Sequence, residues 1–145
     1  MHKKITIAIA TCALLALAAG FDAIVRAQAT SVTDGVYTEE QAKRGATVYS
    51  EQCASCHGEK MEGVADLFPA LAGDTFLKNW TGKSVGELYE KIATTMPALD
   101  PGSMKPEQVA DVVAHMLNTS KYPAGSTALA ASADPLKTIQ IVAPK

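Results

Sequence analysis

The six residues CASCHG, at positions 53–58, constrain this chain more than any other feature. Cys53 and Cys56 lie three positions apart, and His57 directly follows the second cysteine. This pattern suits three kinds of chemistry: half of a zinc site, a redox-active disulfide, or covalent attachment of a prosthetic group. Each needs different distant partners and a different compartment, so the rest of the sequence discriminates among them.

The N-terminus has the pattern of a secretory signal peptide over residues 1–29. MHKK is positively charged, ITIAIATCALLALAAG is apolar, and AQA at 27–29 is a small-residue cleavage site. Asp22 and Arg26 interrupt the apolar run, which falls short of the roughly 20 residues of a membrane helix. We therefore expect a periplasmic protein that meets the membrane only if the leader is uncleaved. Cys12 lies within this predicted signal peptide and is expected to be removed when the peptide is cleaved.

The remaining chain has the length of one small domain. We place this domain at residues 30–120 and a C-terminal extension at 121–145, rich in alanine and proline. The extension is expected either to wrap the domain, to dock on a partner, or to be disordered. The formal net charge is −2 and the sequence has no basic cluster, which argues against a nucleic-acid partner.

Features missing from the rest of the chain make two of the three interpretations of the cysteine motif less suitable. A structural zinc site needs about four ligands, and beyond the motif the mature chain offers only His115. A thioredoxin-like disulfide follows a strand, yet no apolar strand precedes Cys53. C-x-x-C-H in an exported chain is the attachment signal of a c-type haem. We expect one haem c, joined by thioethers to Cys53 and Cys56 and ligated by His57, with zinc or a plain disulfide as the alternatives.

Three helices are predicted, and no stretch indicates a convincing sheet; KTIQIV, near the end, comes nearest. The first begins with a capping box, Thr38 to Gln41, and ends near residue 49 or 50. Within it Gly45 costs roughly 1 kcal/mol against alanine, so it marks either a close helix crossing or a tolerated glycine. The second spans about 85–95, and the third begins at Pro106. The fold class is therefore all-α.

The second iron ligand decides the chemistry, because a filled position favours electron transfer and an open one permits ligand binding. Met96 is favoured: Pro97 biases it away from helical backbone, which releases its side chain into a loop stiffened by two prolines. Met104 is the main alternative. His115 is expected to be an ordinary helix residue. Two further methionines are less suited, Met61 because it follows His57 too closely and Met116 because it belongs to an apolar stripe.

Several segments together resemble the small class I c-type cytochromes over nearly all of residues 37–118. They are QAKRGATVYSEQCASCHG, FPALAG, FLKNW, TTMPALDPGSM and EQVADVVAHML, in that order. The pattern is most similar to single-haem cytochromes and cytochrome subunits that accept electrons from periplasmic dehydrogenases, including the quinoprotein alcohol dehydrogenases.

The resemblance implies a fold in which the first and last helices cross and other elements wrap one haem. It makes His57 the proximal and Met96 the distal ligand, and it implies a hydrogen bond from His57 to the Pro69 carbonyl. It also places Trp80 near a haem propionate, although this tryptophan suits the core equally well. One departure is His115, where related sequences often carry tyrosine.

We therefore predict an electron carrier rather than an enzyme, moving one electron from a periplasmic dehydrogenase to an oxidase or another cytochrome of the respiratory chain. One alternative is a haem enzyme or gas-binding protein with an open distal site. Another is a fixed cytochrome subunit of a dehydrogenase complex.

Overall fold

A computed structural model describes residues 31–144; the predicted leader lies outside these residues. Within them no helix is long and apolar enough to cross a membrane. The described chain contains isolated β-bridges but no strands, so the predicted all-α class is confirmed. A 3-10 turn at Val32–Asp34 precedes the helices, which are α1 Glu39–Gln52, α2 Ala54–His57, α3 Gly73–Trp80, α4 Val85–Thr95, α5 Pro106–Thr119 and α6 Ala133–Leu136.

Helices α1, α4 and α5 correspond to the three predicted helices. Thr38 caps α1 by accepting a hydrogen bond from the Gln41 backbone N–H, as the capping motif predicts. The other half of that capping box is wrong, because the buried Gln41 side chain instead exchanges two hydrogen bonds with the backbone of Leu129. The backbone of Leu129, far along the chain, is therefore the partner of the Gln41 side chain in place of the Thr38 backbone N–H. A complete capping box occurs at α4, between Ser84 and Glu87.

Helices α1 and α5 cross and make the most extensive contact between helices in the described chain. At the crossing, a Cβ on Gly45 would overlap the Asp111 backbone carbonyl. The close-crossing interpretation of this glycine is therefore confirmed. Beside it, Arg44 donates two hydrogen bonds to the Asp111 carboxylate, at 2.9 and 2.8 Å. This paired geometry satisfies a carboxylate that the crossing buries.

His115 fills the aromatic position of the crossing, with its ring centroid 5.6 Å from that of Tyr49. Burial lowers the pKa of His115 from its ordinary value of 6.5. The unfolded chain therefore binds a proton at a pH where the folded chain does not, so stability is lost as pH falls through about 6.5. We expect His115→Gln to lose less stability than wild type between about pH 7 and pH 5. Guanidinium denaturation of the haem-loaded proteins measures this, and parallel losses would contradict it.

The C-terminal extension packs on the domain, which decides between the wrapped and the disordered interpretation. Its apolar side chains Leu129, Leu136, Ile139 and Ile141 are buried. Tyr122 anchors both ends of the extension: its carbonyl accepts a hydrogen bond from the Tyr37 hydroxyl, and its own hydroxyl donates to the Val142 carbonyl, each at 2.6 Å. KTIQIV, the segment that came nearest to a strand pattern, contains Gln140, which forms isolated β-bridges with Ser31 and Ser84.

Candidate functional site

A cavity of about 430 Å³ brings together residues that the sequence separates widely. All six predicted site residues line it: Cys53, Cys56, His57, Pro69, Trp80 and Met96. The rest of its wall is mainly apolar and comes from α4, α5 and the loops around residues 67–71 and 96–99. The volume lies within the range of about 300–1,000 Å³ usual for small-molecule and cofactor sites.

The cysteine motif is held by backbone hydrogen bonds at the junction of α1 and α2. The Cys53 N–H donates to the Tyr49 carbonyl at 2.8 Å, and the Cys53 carbonyl accepts from the N–H groups of Cys56 and His57. The Tyr49 hydroxyl donates to the Gly58 carbonyl at 2.6 Å. This one tight turn therefore fixes both thiols and the imidazole relative to α1.

The two thiols are free rather than joined in a disulfide. Burial, followed by the neighbouring Cys56, raises the pKa of Cys53 to about 11. Its thiol is therefore protonated near neutral pH, unlike the low-pKa thiolates of disulfide oxidoreductases. This chemistry disfavours the redox-disulfide interpretation of the motif.

The His57 side chain is buried, with 7% of the residue exposed, and its Nδ1 lies 2.9 Å from the Pro69 carbonyl oxygen. A carbonyl only accepts, so Nδ1 is the donor of this hydrogen bond and Nε2 is the ring nitrogen available to a ligand-binding role. Such a bond fixes the ring orientation of metal-ligating histidines. Phe68 packs its ring against the imidazole with 6.0 Å between centroids. The Pro69 hydrogen bond and the Phe68 contact thus fix the orientation of the His57 ring, with Nε2 as the nitrogen available to a metal.

Met96 ends α4 with extended backbone, φ −124° and ψ 152°, as the following proline predicts. Its half-buried side chain lines the cavity, and its N–H still donates to the Ile92 carbonyl. Among the described residues, the alternative ligands Met104 and His115 do not line the cavity, and neither does Met61. Met116 does line it, from the buried face of α5.

Trp80 is the last residue of α3 and is half-buried in the cavity wall. The Lys83 ammonium lies 4.9 Å from the centroid of its ring, within cation–π range. The structure thus gives Trp80 a position at the cavity and not in the middle of the core.

The residues present fit a c-type haem. Two thiols, an imidazole nitrogen and a thioether share one cavity with a mainly apolar wall. Within residues 31–144, no three His, Cys, Asp or Glu side chains form a group able to hold a metal ion. The side chains for a closed zinc site are therefore not assembled in that part of the chain.

Sequence reasoning missed several residues of this wall. Leu88, Ile92 and Val112 belong to helical stripes that already indicated burial, but periodicity does not separate a core face from a cavity face. Phe68 lies in the quoted FPALAG segment, although only its proline was singled out. Lys83 carried no sequence signal of its own.

The sequence profile of the family described as cytochrome c oxidase, cbb3-type, subunit III matches residues 40–116, which is more than half of the chain. Among solved structures, the sulfane dehydrogenase SoxCD from Paracoccus pantotrophus matches with a TM-score of 0.44 and 23% identity. That alignment covers 55% of this chain and spans 43% of the other. No curated protein matches the sequence. The extent of the profile match shows that this chain belongs to that family of c-type cytochrome domains.

Proposed function

We propose that this protein is a periplasmic electron carrier with a single c-type haem, held by Cys53 and Cys56 and ligated by His57 and Met96. The observation that carries the proposal is the meeting of these four side chains at one cavity. A c-type haem supplies a reversible one-electron couple there, and no substrate bond is made or broken.

His57 is proposed as the proximal ligand because Pro69 leaves its Nε2 free to donate a lone pair. The carbonyl of Pro69 also makes the imidazole a stronger donor by accepting a hydrogen bond from its Nδ1–H. Both cysteines lie within four residues of His57, so the covalent attachment and the ligand share one rigid turn. The turn would hold the imidazole in one orientation relative to the two attachment points.

Met96 is proposed as the distal ligand. Its sulfur favours reduced iron more than a second nitrogen ligand does. The buried side chains of Leu88, Ile92 and Val112 give the site an apolar wall, which would disfavour the extra charge of oxidised iron. Both effects raise the reduction potential, which suits a carrier downstream of a dehydrogenase.

The donor is proposed to be a periplasmic dehydrogenase and the acceptor an oxidase or another cytochrome, on the basis of the sequence resemblance. Exposed apolar side chains at the cavity mouth support transient docking. Leu99 is 98% exposed and Leu67 is 73% exposed, and both line the cavity. Such a small apolar patch suits the small interfaces of redox encounters. A fixed place in a dehydrogenase complex would use the same face.

The Met96→Ala variant tests whether the distal site is closed. We expect wild type to show the weak near-infrared band of sulfur-to-ferric charge transfer, and the variant to lose it. The reduced variant should bind carbon monoxide rapidly, since the sixth coordination position is open. Removal of this half-buried side chain should also lower stability by about 2 kcal/mol.

Met104→Ala is the matched control, because Met104 is also half-buried but does not line the cavity. It should keep both the band and the slow carbon monoxide reaction. A high-spin wild-type spectrum with fast carbon monoxide binding would instead identify an open-site haem enzyme or gas-binding protein.

A further inference from the structure

The wall of the cavity at the end of α3 carries a positive charge. Trp80 and Lys83 both line the cavity, and the Lys83 ammonium lies over the Trp80 ring. The ring face restrains the ammonium group without neutralising it, because a cation–π contact supplies no opposite charge. Lys83 is therefore placed at the cavity as an intact cation.

The C-terminal extension fixes the loop that carries Lys83. We call residues 139–141 the C-terminal strap. Ile141 makes two backbone hydrogen bonds to this loop. Its carbonyl accepts one from the Gly82 N–H at 2.9 Å, and its N–H donates one to the Lys83 carbonyl at 2.8 Å. The Ile139 carbonyl accepts from the Val85 N–H at 2.9 Å. With both isoleucines buried, the strap holds the backbone of Lys83 in one position.

The charges around this wall are unbalanced. The residues lining the cavity include Lys83 and Lys91 but no carboxylate side chain. Within residues 31–144, neither lysine takes part in an ion pair. Glu87 feels the charge of Lys83, but its carboxylate is occupied by the Ser84 N–H and hydroxyl, which are the main cause of its lowered pKa. Although the chain has a net negative charge, this wall carries positive charge and would stabilise a bound anion.

We propose that Lys83 is the counter-charge for the carboxylate groups of the haem, and that the strap makes the C-terminal extension a part of the cofactor site. The inference rests on the proposed function. Trp80 and Lys83 would hold the carboxylate groups, while the turn of Cys53 and Cys56 would hold the covalent attachment. Lys91 has the same charge but lacks the strap and the tryptophan, so its contribution is smaller.

The reduction potential of Lys83→Gln tests this role. Loss of a cation beside the cofactor stabilises ferric iron, so at a fixed applied potential the ferric-to-ferrous ratio should rise about two- to fivefold, the size of an exposed ion-pair contribution. High salt should shrink the difference, because it screens exposed charges. Lys83→Arg should restore the wild-type potential. Lys78→Gln, on the exposed side of α3 and away from the cavity, is the matched control and should change nothing.

The outcomes separate this inference from the function beneath it. If Lys83→Gln keeps the wild-type potential while the near-infrared band is intact, Lys83 is not the counter-charge and the proposed carrier function stands. A larger shift in Lys91→Gln than in Lys83→Gln would likewise overturn the inference. If wild type itself binds no haem when produced in the periplasm, the proposed function fails first.

Discussion

The double variant Cys53→Ala, Cys56→Ala is expected to lose covalent haem completely and to leave the chain largely unfolded. Attachment is lost because no thiol remains to form a thioether. Folding is lost because buried side chains such as Leu88, Ile92, Val112 and Met116 face the cavity. Without an occupant, this apolar wall would face water and lose much of the hydrophobic stabilisation of those side chains. The whole stability of a small domain is only about 5–15 kcal/mol, so a loss on this scale leaves little of it.

Two measurements check this prediction. Haem staining of a denaturing gel detects covalent attachment, and far-ultraviolet circular dichroism follows the helices. Ser55→Ala is the matched control, because it lies between the cysteines, is exposed, and leaves both thiols in place. It should retain the stained band and the helical spectrum. A stained band in the double variant would show that the haem is attached elsewhere.

Gly45→Ala is expected to destabilise the folded protein by about 2 kcal/mol. Two effects oppose each other. Alanine improves helix propensity by roughly 1 kcal/mol. Its Cβ, however, would overlap the Asp111 backbone carbonyl and lie 2.9 Å from the His115 Cβ. A backbone carbonyl cannot rotate away as a side chain does, so α1 and α5 must separate along their largest contact. The loss of packing outweighs the propensity gain.

Thr47→Ala provides the control for this experiment, since it changes propensity on the same helix at an exposed position. It should leave stability unchanged or raise it by a few tenths of a kcal/mol. Chemical denaturation of the haem-loaded variants gives both free energies of unfolding. Equal or greater stability in Gly45→Ala would mean that the crossing adjusts without cost.

Local signals predicted the main helices well because they act within a few residues. The apolar stripe of α4 gave its bounds, and Pro106 gave the start of α5. The extended backbone of Met96 followed from the proline after it. Three short helices escaped prediction, because α3 has eight residues and α2 and α6 have four each, too few for a periodic pattern to stand out. Their conformations depend on contacts made elsewhere in the chain.

Non-local contacts were predicted only where a strong pattern already pointed to them. The bond between His57 and the Pro69 carbonyl was expected from the family resemblance, and the structure contains it at 2.9 Å. The partner of Gln41 was not foreseen, because the capping motif offered a local alternative for the same amide. The backbone groups of the buried Leu129 cannot bond to water, whereas the exposed helix end can, so the Gln41 side chain stabilises the fold more at Leu129.

By itself the sequence determined the cysteine and histidine chemistry, the long helices and the loop that frees Met96, because each depends on spacing along the backbone. Only the tertiary structure decided that the C-terminal extension folds back as a strap and that Lys83 lies over Trp80 at the cavity. The physical reason is that hydrogen bonds between segments far apart in the chain depend on how the whole domain packs. Residue spacing alone does not indicate which backbone groups, far apart in the chain, will form hydrogen bonds with each other.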